Sequence, residues 1–251
     1  VIRSPKTRLA GTLALAVLTL TTVSVAPVWA AGHRRHHHPS SPAVRRTRAD
    51  VTKRPKRSSR RELAASPAPP AGEAQTQTQT TTATAVIAAV LATPCANTEL
   101  TPTAEDLPLV KGAVLCLVNR ERAEHGVAPL VANPRLEEAA ESHCAELISD
   151  DYFAHISPSG ETPVDRIRGT GYIPGPSDGW VIGENLAWGT YDLSTPAAIV
   201  AAWIASPGHL ANILESQYTE TGVGITPAVP ASLSDGSPGA SYAQEFGVII
   251  P

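Results

Sequence analysis

Two histidines and one glutamate sit in polar, turn-rich surroundings and are the residues best suited to chemistry. His155 lies in Phe153-Ala154-His155-Ile156-Ser157-Pro158-Ser159-Gly160, Glu184 in Gly183-Glu184-Asn185, and His209 in Ser206-Pro207-Gly208-His209. A fourth polar stretch is Tyr218-Thr219-Glu220-Thr221-Gly222-Val223-Gly224. Two imidazoles and a carboxylate can build a divalent-metal site or an acid/base pair. Neutral imidazole is a borderline ligand that suits zinc. The spacing alone is a weak signal. No His-x-x-x-His pair occurs, so a thermolysin-like zinc motif is excluded, and any metal site must come from distant segments. A lone histidine is by default a structural hydrogen-bonding residue, and His143, on an apolar stripe, reads that way.

Glu184 has two readings. It can orient one imidazole through its second nitrogen and so fix the tautomer, or it can polarise a water. Asn185 reads either as a loop fastener, through side-chain to backbone hydrogen bonds, or as a turn residue only. Ser157 and Ser206 neighbour the histidines in sequence. Ser157 precedes Pro158 and reads as turn chemistry rather than as a nucleophile.

These residues need a scaffold. Thr103 can cap a helix over 104–125, with Val110, Ala113, Val114, Leu117 and Val118 largely on one face and Gly126 ending it. Asn119, Arg120 and Arg122 on that helix read as structural hydrogen-bonders. Asn133-Pro134 opens a second helix with the stripe Leu136, Ala139, Ala140, His143 and Leu147. Thr162-Pro163 opens a short third helix. Thr195-Pro196 opens a fourth, read as stopping at Pro207-Gly208. Strands are expected at Gly222–Thr226 and Ala243–Ile250, with another near Val181–Trp188. Helices first and strands later give an α+β class: an antiparallel sheet covered by helices. Trp188 and Trp203 read as core.

The charge is not evenly spread. The 251 residues carry a net charge of -3, but residues 1–93 hold 14 Lys+Arg against 3 Asp+Glu, and residues 94–251 hold 6 against 20. Ten of the 11 aromatic residues follow residue 94. The basic part lacks the apolar surface to offset its ordering entropy. Arg3, Lys6 and Arg8, the apolar run Leu9–Val23 and the small-x-small site Val28-Trp29-Ala30 read as an export signal over 1–30. Residues 31–94 read as an unstructured leader rich in His, Arg, Pro, Thr and Gln, and 95–251 as the folded domain. Ala85–Ala92 is apolar but too short to span a bilayer, so no stable span is expected once the signal is removed. Pro94 before Cys95 argues against lipidation. The basic leader is a spacer, an adhesive for an anionic polymer of the cell wall, or a metal-capturing segment through His33 and His36–His38. The acidic domain argues against nucleic acid.

At this point the sequence resembles the CAP superfamily, the SCP domain of cysteine-rich secretory proteins, antigen 5 and pathogenesis-related 1, in its short bacterial form. The segments that carry the resemblance are Leu117-Val118-Asn119-Arg120-Glu121-Arg122, Phe153–Gly160, Gly183-Glu184-Asn185, Trp203–Leu214 and Thr219–Gly224, in family order over roughly 104–250. The resemblance implies an α-β-α sandwich with a central cleft holding His155, Glu184 and His209, with Asn185 beside them. His155 and His209 are its implied metal ligands, zinc its implied cofactor, and Glu184 its catalytic candidate. The family's second glutamate, three residues after the tryptophan, is Ser206 here, which weakens any mechanism that needs two carboxylates. The resemblance also implies a Cys95–Cys116 disulfide with Cys144 spare; Cys116–Cys144 is the alternative. The functional expectation is a secreted, extracellular or wall-associated binding module for a metal, a lipid or a wall polymer. A metal-dependent hydrolase acting on peptide or wall material and a non-catalytic wall protein are the alternatives, and catalysis stays open.

Overall fold

The computed structural model describes residues 15–19, 23–25, 71–175 and 178–250, with side chains from residue 82 onward. Most of the expected export signal, the expected unstructured stretch 31–70, His33 and His36–His38, and the arginine cluster lie outside the described residues. The first described elements are strands β1 (Leu15–Thr19) and β2 (Val23–Val25).

Helix α1 (Ala71–Ala92) corrects one expectation, because residues 71–92 were read as part of the unstructured leader. Its second half is an alanine-rich run, and alanine has the highest helix propensity. Thr93 closes it, its hydroxyl donating to the Ala89 carbonyl. The helix begins within a separate unit, residues 28–78, of which only 71–78 are described.

Cys95 is bonded to Cys116, which ties the entry of the domain to helix α2 (Leu107–Glu124). Asp106, not Thr103, precedes the first turn of α2. Pro108 fixes the helix start there, and the Asp106 carboxylate accepts from the Thr103 N–H. Gly126 ends the helix at φ +71°, a left-handed conformation that glycine adopts without a Cβ penalty. Arg122 is fully buried and donates to the carbonyls of Ala128, Ile213, Glu215 and Tyr218. Asn119 exchanges two hydrogen bonds with the Leu130 backbone. Both are structural fasteners, as their positions suggest.

Strand β3 (Val131–Ala132) leads into α3 (Pro134–Ser149), where Asn133 caps the Arg135 N–H. Thr162 and Asp165 form a capping box for α4 (Pro163–Gly169). Strand β4 (Gly179–Thr190) and a 3-10 turn at Tyr191–Ser194 precede α5 (Pro196–Ala205), capped by Thr195. The fourth helix ends at Ala205, just before Pro207-Gly208, as expected. Pro207 also opens a further helix, α6 (Pro207–Leu214), bent by 101° from α5, because proline is acceptable at a first helical position. Strand β5 (Glu220–Thr226), the short α7 (Ala231–Ser234) and β6 (Gly239–Ile250) complete the chain.

The sheet order is β1-β4-β6-β5-β3, with β2 also on β4. The pairings are antiparallel except β3–β5, which is parallel over two residue pairs. That short parallel pair qualifies the expected all-antiparallel sheet. One core packs α2, α5 and α6 on one face through Val110, Val114, Trp203, Tyr242 and Phe246. Leu136, Ile167, Ile182 and Leu186 pack α3 and α4 on the other. The result is the expected α-β-α sandwich. Helix α3 crosses β5 at backbone contact: a Cβ on Gly222 or Gly224 would strike the main chain of Glu137 or Ala140. Among the described residues no single helix is long and apolar enough to cross a membrane.

Candidate functional site

Strand alternation assigns the two polar residues of Gly183-Glu184-Asn185 to opposite faces. Glu184 faces α3 and α4; Asn185 faces α6. Both are fully buried.

Glu184 is the hub. Its Oε1 faces His155 Nδ1 at 2.6 Å, and its Oε2 faces His143 Nδ1 at 2.7 Å and Arg166 Nη2 at 3.0 Å. Burial alone raises the pKa of this carboxyl. The hydrogen bonds from His143 and His155 and the charge of Arg166 outweigh burial and hold it well below the usual range, as a carboxylate. Arg166 also donates to the carbonyls of His155 and Glu161 and to Ser157 Oγ, so it clamps the 155–161 loop onto the strand. His143 Nε2 faces the Ala154 carbonyl at 3.1 Å, so both its ring nitrogens meet acceptors.

A carboxylate accepting at Nδ1 puts the proton on that nitrogen and leaves Nε2 with a lone pair. His155 Nε2 is buried and, among the described residues, has no hydrogen-bond partner. That is the arrangement of a metal-ligating histidine oriented by a carboxylate. His209, on α6, is fully buried, and its affinity for a proton falls to about pKa 4, first through burial and then through the nearby His155. It is therefore neutral near pH 7, as a ligand must be. Asn185 Nδ2 donates to the His209 carbonyl at 3.2 Å, and Asn185 Oδ1 accepts from Asn212. Asn185 thus fastens the backbone that carries His209 and does not line the space with Glu184. His155 Nε2 and a neutral His209 are donors of the type that a divalent cation takes. Three donors hold the two Glu184 oxygens, which gives the carboxylate an orienting role toward the imidazoles.

Ser157 Oγ donates to Glu146 Oε2 at 2.6 Å and is committed to that network with Tyr152 and Arg166. Trp203 is fully buried and its indole donates to the Leu186 carbonyl, a core role.

Three residues of the site escape a reading of the sequence. His143 belongs to the Glu184 network and not only to the apolar stripe. Arg166 sits 18 positions before Glu184, on a short helix. Glu245 lies directly across from Glu184 in the β4–β6 register and is fully buried. A charged residue inside the apolar run 243–250 is the signal that could have found it. His143, Glu184 and Glu245 present ligand atoms within 4.8 Å of one another, a buried group with the composition to hold a metal. The Glu245 carboxyl is pushed well above the usual range, first by burial and then by the charge on Glu184. It is a neutral acid beside an ionised one.

An α-β-α sandwich whose histidines converge on one buried strand carboxylate defines the class. Residues 115–229 match the family model CAP, Cysteine-rich secretory protein family, the family that the sequence motifs resemble. The chain is 33% identical over 133 residues to Uncharacterized protein YkwD of Bacillus subtilis (strain 168), covering 51% of this chain and 49% of that protein. It is 35% identical over 112 residues to Uncharacterized membrane protein YlbC of the same organism, covering 45% of this chain and 30% of that protein. Among solved structures, an extracellular protein containing a SCP domain from Bacillus anthracis str. Ames superposes with a TM-score of 0.45 at 25% identity, over 58% of this chain and 43% of that one.

Proposed function

We propose that this chain is an exported CAP-domain binding module whose cleft holds a divalent cation, zinc by the chemistry of its donors, on His155 Nε2 and His209. The observation that carries the reading is the buried, unpartnered His155 Nε2, its tautomer held by Glu184. A bound cation would supply a Lewis-acidic centre for an anionic or carbonyl group of a wall or lipid ligand. Glu184 and Asn185 position the two imidazoles, and Arg166 holds the His155 loop. Export is supported by the basic-then-apolar start of the chain and by the Cys95–Cys116 disulfide, a bond of oxidising compartments. The basic leader adds an electrostatic contact to anionic wall polymer. Binding is favoured over hydrolysis because Ser206 stands where the resemblance expects a second carboxylate, and because Glu184 is engaged in orienting the imidazoles.

Zinc titration by calorimetry tests this. Wild type is expected to bind one zinc ion per chain, His155→Ala and His209→Ala to lose binding, and Glu184→Gln to weaken it by about 10–100-fold. Equal zinc affinity in wild type and both histidine variants would remove the site. Hydrolysis of peptide or wall material that disappears in Glu184→Gln would replace the binding reading with the hydrolase. Protein for the titration is expected in the culture medium, beginning at Ala31; an intact chain confined to cells would remove export.

A further inference from the structure

We infer that the outer edge of β4 is a docking site for an extended, aliphatic peptide, added antiparallel as a further strand beside the histidine cleft. The chain seats one of its own segments there. β1 pairs with β4 from Leu15↔Gly189 to Thr19↔Asn185, and β2 from Val23↔Ile182 to Val25↔Trp180. Both segments are rich in aliphatic residues, LAVLT and VSV. With them in place, every β4 residue from Trp180 to Thr190 is buried.

Three observations make this edge an acceptor. First, edge strands are usually protected by lysine, proline or short length. β4 is 12 residues long, has no lysine or proline, and its single charge, Glu184, is turned into the core. Second, α6, which carries His209, packs against β1 as well as β4, so it walls the groove. Third, the pairing stops at Asn185 and resumes at Ile182, leaving it interrupted opposite Gly183 and Glu184, at the level of the imidazoles. A docked strand is held on either side of the cleft and unpaired where it passes the cleft. Main-chain hydrogen bonds supply affinity in this mode and alternate side chains supply selectivity. The leader occupies the edge until it is removed. The inference rests on the export reading only for how the edge becomes free, and it stands whether or not the cleft holds a metal.

The probe is a fluorescent peptide of residues 13–26 flanked by lysines for solubility, followed by anisotropy. In the full chain, Val17→Pro breaks the resident strand without touching the domain. Its affinity for the probe is expected to exceed that of the unaltered full chain by about tenfold or more, since a resident segment lowers apparent affinity by the fraction of time the edge is free. Protein recovered from the medium is expected to bind like Val17→Pro. Two further probes are N-methylated at alternate positions within residues 15–19 alone, where the register is continuous, one set on even residues and one on odd. Only one set turns its N–H groups to β4, so one is expected to lose binding and the other to keep it. Equal affinity of the full chain and Val17→Pro would overturn the inference, as would loss of both methylated probes or retention of both. A Val17→Pro chain that dimerises and excludes the probe would assign the edge to a second copy, and the peptide site would fall.

Discussion

Replacing Glu245 by glutamine tests the electrostatics of the site most sharply. The folded protein keeps the Glu245 carboxyl neutral, through burial and the adjacent Glu184 charge, whereas the unfolded chain ionises it near the ordinary value of 4.5. Between 4.5 and the folded value the unfolded state therefore binds fewer protons than the folded state. Stability must fall as pH rises through that window. The slope for one such group is roughly 1 kcal/mol per pH unit, and it approaches about 2–3 kcal/mol between pH 5 and pH 7 while the group stays protonated in the fold. Glutamine has nearly the shape of protonated glutamate and does not titrate. Glu245→Gln is thus expected to match wild type within about 1 kcal/mol at pH 4.5 and to exceed it increasingly toward pH 7. Urea unfolding of both proteins at pH 5, 6 and 7 reads the difference directly, with every other titrating group common to both. A pH-independent difference, or a glutamine variant less stable than wild type at pH 7, would refute a neutral Glu245 and make it an ionised partner of Arg166.

Two further outcomes concern the scaffold. Cys95→Ser/Cys116→Ser opens a loop with a sequence separation of 21 and is expected to cost about 3 kcal/mol, read as a lowered urea midpoint; an unchanged midpoint would mean that the bond constrains little. Gly222→Ala drives a Cβ into the α3 main chain and is expected to cost about 3 kcal/mol or to block folding, whereas Gly112→Ala, exposed on α2 with open space around its Cβ, is expected to gain about 0.5–1 kcal/mol. Similar thermal shifts in the two glycine variants would contradict the close crossing of α3 over β5.

What can be read from this sequence is local. Asn133, Thr162 and Thr195, each followed by proline, announce three helices because the cap and the proline act within one turn. The Glu184–His155 pairing was legible as one of two roles for Glu184, and the geometry selects tautomer control. Pro207 marks the end of α5 legibly, but α6 beyond it is not legible, because proline both ends a helix and begins one, and only packing decides the second. Glu245 and Arg166 were invisible for another reason. Their importance comes from strand register and from the placement of α4, and neither is encoded in neighbours along the chain. Helix α1 escaped because its polar repeats have the composition of a linker, while its alanines have the propensity of a helix.

The Cys95–Cys116 bond has a consequence for how the protein withstands proteolysis. It closes the domain at its first residue and anchors that residue to the middle of α2. Proteases that trim the arginine-rich sequence can cut at many places before Cys95, yet each product keeps the same covalently sealed body. Preparations with ragged N-termini would therefore be mixtures in mass and isoelectric point but one species in fold.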